Sequence, residues 1–149
     1  GILEDLKGYK NFVDRNKKEL KTDAEIKAFS SDVYLCSANA ISKNGDVIEI
    51  DGSGNRTAAV IYGPKKVFLI VGKNKLANTE KEALKRAKDI AAAQNSIRFK
   101  VDNPCAVGDM ICKDNCEIDK RMCAYTVIIN KCHIKDRIHI IFINEELGF

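Results

Sequence analysis

The feature that most constrains this chain is the run over residues 32–72, where strand, hairpin, glycine loop, helix and strand signals follow one another without interruption. Val33–Cys36 is a short apolar run of strand type. It leads to a hairpin whose turn is Asn44-Gly45, a pair suited to the positive φ angles of a two-residue type I′ turn. The return arm, residues 47–50, delivers the chain to Asp51, Gly52, Ser53, Gly54, Asn55 and Arg56. Residues 56–62 then read as a short helix stopped by Gly63 and Pro64, and Lys66–Gly72 as a buried strand. A strand that feeds a glycine-containing loop opening a helix is one way in which α/β proteins present backbone N–H groups to an anion.

The flanks extend the same alternation. Ile2, Leu3 and Leu6 share one face of a short helix ending near Gly8, residues 11–13 suit a brief strand, and residues 16–21 are polar and expected at the surface. Thr22 and Glu25 form a capping box that opens a second helix, with Ile26 and Phe29 facing inward. Thr79 and Glu82 form another, starting the longest helix, to about Ala93, whose Ala83, Leu84, Ala87, Ile90 and Ala91 recur at helical spacing. Two β-rich runs, residues 125–129 and 137–143, are joined by a polar turn around residues 131–136. The expected fold is α/β, an open and mostly parallel sheet flanked by helices. Residues 103–123, with Pro104, Gly108 and four cysteines, show no periodicity, and a loop of this length is usually functional or clamped internally.

With 149 residues, 45% of them hydrophobic, the chain is expected to form one domain over residues 1–149, with the cysteine-containing loop inside it. The 25 basic and 21 acidic side chains are interleaved, as in Glu80-Lys81-Glu82, which describes a solvated helix face and argues against a nucleic-acid surface. No apolar run reaches membrane-spanning length and no signal sequence opens the chain, so a cytoplasmic protein without a membrane span is expected. Six cysteines are too few for a disulfide scaffold and read as reduced thiols or metal ligands.

Two readings stand for residues 51–56. Helix-start N–H groups and the Arg56 guanidinium converge on an anion, or the segment is a tight strand-to-helix turn capped by Asp51 or Asn55. Asn39, at a strand end, is either a structural amide or a ligand contact. Cys105, Cys112, Cys116 and Cys123, separated by six, three and six residues, are close enough to share a zinc ion or an iron–sulfur cluster, with free thiols and oxidised pairs as alternatives. Cys36 and Cys132 read as small core residues, and His133 and His139 have no ligand spacing with the loop cysteines. Glu145 and Glu146 are either catalytic acids or a charged end. A Ser/His/Asp arrangement, a P-loop lysine motif and a complete dinucleotide fingerprint are all missing, which disfavours nucleotide hydrolysis.

Several of these segments resemble the LUD-domain family, the lactate-utilisation proteins related to a subunit of bacterial L-lactate oxidation. They are Asp32-Val-Tyr-Leu-Cys-Ser-Ala-Asn-Ala-Ile41, Ile50-Asp-Gly-Ser-Gly-Asn-Arg56, Tyr62-Gly-Pro-Lys-Lys-Val67, Pro104-Cys105 with the later cysteines, and Asn144-Glu-Glu-Leu-Gly-Phe149. The resemblance covers essentially the whole chain and makes residues 51–56 the family's central motif. It implies a fold like the ribose-phosphate isomerase and CoA-transferase group, with the ligand cleft at strand ends. Family members carry a further N-terminal segment with a helix and a glycine-rich, Ser/Thr-containing loop, so half of the cleft is expected upstream of this sequence. The cysteine spacing is slightly longer than the family's. The implied function is that of an accessory protein that binds a small anionic metabolite and supports L-lactate oxidation to pyruvate with iron–sulfur partner subunits. Alternatives are an isomerase or acyl-transferase acting on a phosphorylated or CoA-linked small molecule, with Asp51, Glu145 or Glu146 as base or nucleophile, and a metal-stabilised interaction module. Assembly into a homo-oligomer is left open.

Overall fold

A computed structural model describes residues 2–17, 21–107, 109–117, 119 and 121–149. Gly108 and three residues of the polar run 16–21 lie outside the described residues. In chain order the elements are α1 Ile2–Leu6, α2 Lys21–Ala28, β1 Val33–Cys36, β2 Ala40–Ser42, β3 Val47–Asp51, α3 Asn55–Ile61, β4 Lys66–Gly72 and β5 Leu76–Ala77. There follow α4 Glu80–Arg86, a π-helical stretch Ala87–Ala92, α5 Ala93–Phe99, β6 Tyr125–Ile129 and β7 Ile138–Ile143.

The strands form two sheets. The first is wholly parallel, in the order β1-β4-β7, and the second is mixed, in the order β5-β2-β3-β6. Together with the flanking helices this is the open α/β arrangement expected from the alternation of periods. The two β-rich runs near the end do not form a hairpin, because β6 pairs antiparallel with β3 while β7 crosses to the parallel sheet beside β4.

Alternation along the strands explains the core. Val67, Leu69 and Val71 of β4 point to one side and meet Ile41 and Val47 of the second sheet and Val60 of α3. The opposite face of β3, Ile48 and Ile50, packs with Ala83, Ala87 and Ala92 of the long helical stretch. Strand β3 is therefore covered on both sides, and the same alternation puts Glu49 beside Val47 in the layer between the sheets.

Five local expectations are corrected. The hairpin loop is longer than a two-residue turn: only Gly45 has positive φ (93°), while the Ser42 side chain gathers the N–H groups of Asn44 and Asp46 and donates to the Asp46 carboxylate. Helix α2 already includes Thr22, and Glu25 turns away to accept from Arg15 (2.9 Å) and Asn55 (3.0 Å). Ala24 is its buried residue, whereas Ile26 and Phe29 are exposed. Residues 11–13 make a turn, with Phe12 N–H donating to the Tyr9 carbonyl, and no strand. The Thr79 cap forms as expected, accepting from Glu82 N–H at 3.2 Å, but the helical stretch runs past Ala93 to Phe99 and stops at Lys100, which has φ 55°.

Candidate functional site

Strand β3 ends at Asp51 and α3 begins at Asn55, so three residues turn the chain. Gly54 has φ 76°, and a Cβ there would sit 3.3 Å from the Tyr125 ring; both conditions call for glycine. One oxygen of Asp51 accepts from the N–H and the hydroxyl of Thr57, each at 2.7 Å, which caps α3 from outside the helix. Its other oxygen lies 3.0 Å from Arg56 Nη2.

Arg56 turns inward. Its Nη1 donates to the Ser37 carbonyl at 3.0 Å, and its Nη2 donates to Asn39 Oδ1 (2.5 Å) and the Ile50 carbonyl (2.9 Å). The same Nη2 lies 2.8 Å from Glu49 Oε2, an ion pair whose angles do not make it a hydrogen bond. Asn39 Oδ1 also accepts from Ile50 N–H at 2.8 Å, so this amide and Arg56 together tie the approach to β2 to the end of β3.

Glu49 has 0% exposure, and burial pushes its carboxyl up to about 8, against the pull of Arg56 and with a smaller push from Asp51. Burial opposes the charge on Arg56, but Glu49 and Asp51 outweigh it and hold its pKa above the ordinary value. Lys75 donates to Ser37 Oγ (3.1 Å) and the Ala38 carbonyl (3.2 Å), and burial together with Arg86 and Arg56 lowers it to about 8. Burial and Glu49 push the Cys36 thiol far up, which leaves it protonated and unreactive at neutral pH.

Beside this charged knot lies a cavity of about 1040 Å³. Its wall includes Asn39, Asp51, Gly52, Ser53, Asn55 and Arg56, so the geometry gathers every expected ligand-binding residue except Gly54, which sits under Tyr125. Tyr34, Arg15 and Glu25 also line it, as do Arg98 and Phe99 of α5. Three of the four acids in the wall are ion-paired within the protein, Glu25 with Arg15, Asp51 with Arg56 and Asp32 with Lys65, while Asp14 accepts from Asn16 N–H. Arg98 instead lies over the rings of Phe99 (4.6 Å) and Phe149 (5.8 Å) and has no carboxylate partner among the described residues. Nothing in the periodicity of residues 80–99 marks Arg98 as a wall residue; only the helix's extension beyond Ala93 brings it there.

A family profile for the LUD domain matches residues 4–143. The chain belongs to the LUD-domain family. That family is linked to lactate utilisation. Neither the comparison with curated proteins nor that with solved structures gave a match. Among the described residues of this LUD domain, no helix is long and apolar enough to cross a membrane.

The loop cysteines of the LUD domain are free thiols, Cys105 and Cys123 buried and Cys112 and Cys116 half-buried. Cys112 N–H donates to Asp89 at 2.9 Å, and Arg121 Nε donates to Cys123 Sγ at 3.2 Å. Among the described residues no three His, Cys, Asp or Glu side chains are placed together to hold a metal ion. Cys36 packs against the core, and Cys132 is half-buried. His139 stacks on Phe68 at 4.8 Å, with Nε2 2.9 Å from the Asp136 carbonyl, a structural placement. Glu145 and Glu146 are exposed and lie outside the cavity wall.

Proposed function

We propose that this LUD domain is a lactate-utilisation-type accessory protein that takes a small anionic metabolite into the cleft beside Asp51 and supports L-lactate oxidation to pyruvate with iron–sulfur partner subunits. The observation that carries the reading is the cavity wall itself: the loop over residues 51–56 contributes to it, Glu25, Asp32 and Asp51 are paired with internal cations, and Arg98 remains without a carboxylate partner among the described residues. A volume of about 1040 Å³ suits a small-molecule site. In this reading Asn39, Ser53 and Asn55 offer polar contacts, Arg98 supplies charge, and the glycines let the backbone approach. Arg56 and Asp51 shape the wall, since the two Arg56 Nη atoms and the Asp51 carboxylate are already engaged.

The test is a thermal-shift screen of the whole chain against lactate, sugar phosphates and CoA esters. A ligand at a hundredfold excess over its Kd raises the melting temperature by roughly 5–10 °C. Arg98→Ala keeps the unliganded melting temperature and loses most of that rise. A flat response to every anion overturns the proposal.

A further inference from the structure

On the reading of the cleft as an anion site, we propose that its ligand is amphipathic, an α-hydroxy acid whose apolar chain or ring is much larger than the methyl group of lactate. The head group follows from that reading, and the tail from the wall. A cavity of about 1040 Å³ lies at the upper end of the roughly 300–1,000 Å³ that encloses drug-sized molecules. Lactate would leave most of that space to water, against side chains that water solvates poorly.

Those side chains converge from separate parts of the chain. Leu3 and Leu6 of α1, Phe12 of the turn that follows, Leu35 of β1, Phe99 at the end of α5 and Met122 ahead of β6 all line the cavity. Leu3, Leu35 and Phe99 are 44%, 36% and 56% exposed, so the fold gathers them without covering them. Apolar residues scattered singly over a surface are ordinary, but a set drawn round one cavity favours apolar ligand atoms there.

The polar side of the wall has much of its capacity in use. Ser53 Oγ donates to Asn55 Oδ1 at 2.7 Å, and Asn55 Nδ2 and Arg15 Nε both donate to Glu25 Oε1, at 3.0 and 2.9 Å. Asn39 Oδ1 accepts from Arg56 and from Ile50 N–H. A ligand dense in hydroxyls or phosphates would enclose more polar atoms than this wall can pair, which is costly. A single carboxylate meets Arg98, whose guanidinium lies 4.6 Å from the centroid of the Phe99 ring. Charge and apolar surface therefore adjoin, as the head and tail of such an acid require. Burial raises the Tyr34 phenol above its ordinary value, so this wall residue stays neutral and does not repel the carboxylate at neutral pH.

Isothermal titration of the whole chain with lactate, α-hydroxybutyrate, α-hydroxyhexanoate and α-hydroxyoctanoate tests this. Kd is expected to fall about two- to fourfold for each added methylene, with a heat-capacity change that grows more negative along the series. The neutral analogue of the longest acid, its carboxylate replaced by an alcohol, is expected to bind at least about tenfold more weakly. Phe12→Ser and Leu35→Ser are each expected to shrink the gain per methylene, and their unliganded melting curves report whether the fold is kept. Equal affinity along the series overturns the amphipathic ligand while leaving the anion site standing, whereas no binding of any acid overturns both. A neutral analogue as tight as the acid, or a gain per methylene unchanged in both variants, also overturns it, because head or tail then lies elsewhere.

Discussion

At Arg56 one planar guanidinium meets two carboxylates, two backbone carbonyls and an amide within a single buried layer. Removing it leaves the buried Glu49 carboxyl without its cation and the Ser37 and Ile50 carbonyls without their donor, each orphaned buried group costing about 1–3 kcal/mol. Urea denaturation of Arg56→Ala is expected to show a drop of that size, whereas Arg98→Ala, on the cavity surface, is expected to stay within about 0.5 kcal/mol of wild type. Glu49 adds a pH signature. Its carboxyl is raised from 4.5 to about 8, so the unfolded chain holds fewer protons than the folded one between those values. The Glu49 contribution is then complete below pH 4.5 and declines as pH rises to about 8, by at most about 1.4 kcal/mol per pH unit. Lys75, lowered from 10.5 to about 8, acts in the opposite sense over the window above, where stability recovers as pH rises. Denaturation midpoints for wild type and Glu49→Gln across pH 5–8 check this; equal slopes for the two would contradict it. The sequence shows Arg56 following a strand and a glycine loop, but not which way it points. Its partners Ser37, Asn39 and Glu49 come from two other segments, and no local spacing encodes their convergence.

At the scale of elements, the signals that held are those settled by neighbours in sequence. Lys66–Gly72 is a strand with the bounds its apolar run implies, and Thr79 caps its helix through Glu82 three residues on. Thr79→Ala is expected to cost about 1 kcal/mol by thermal melting, with little change in the cavity. The Thr22 box failed because Glu25 has stronger partners in Arg15 and Asn55, which only the folded chain supplies. The Asn44-Gly45 turn lengthened because the Ser42 side chain offers the loop N–H groups a better acceptor. Gly72 makes the reverse case: a Cβ there would lie 2.6 Å from Leu147 N and 2.7 Å from the Glu145 carbonyl, both backbone. Gly72→Ala is therefore expected to destabilise by about 1–3 kcal/mol and to loosen the C-terminal segment, which hydrogen exchange at Leu147 would report.

At the scale of the molecule, the alternation of strand and helix periods sufficed for an open α/β fold, and the motifs sufficed for the LUD-domain family. The division into two sheets did not follow, because pairing partners are long-range: β3 chooses β2 and β6, while β7 crosses to β4. The cavity is legible on one side only. Its loop wall stands out as residues 51–56, while Arg15 and Arg98 arrive from helical and irregular segments without a motif. The central claim is that this cavity holds a small anion with Arg98 as its cationic contact. Isothermal titration of the most stabilising anion into wild type and Arg98→Ala tests it most directly. Saturable binding to the wild type, weakened at least about tenfold in the variant, is the expected result, as for loss of one charge-assisted contact. Equal affinity in the two proteins, or no binding to either, would contradict it.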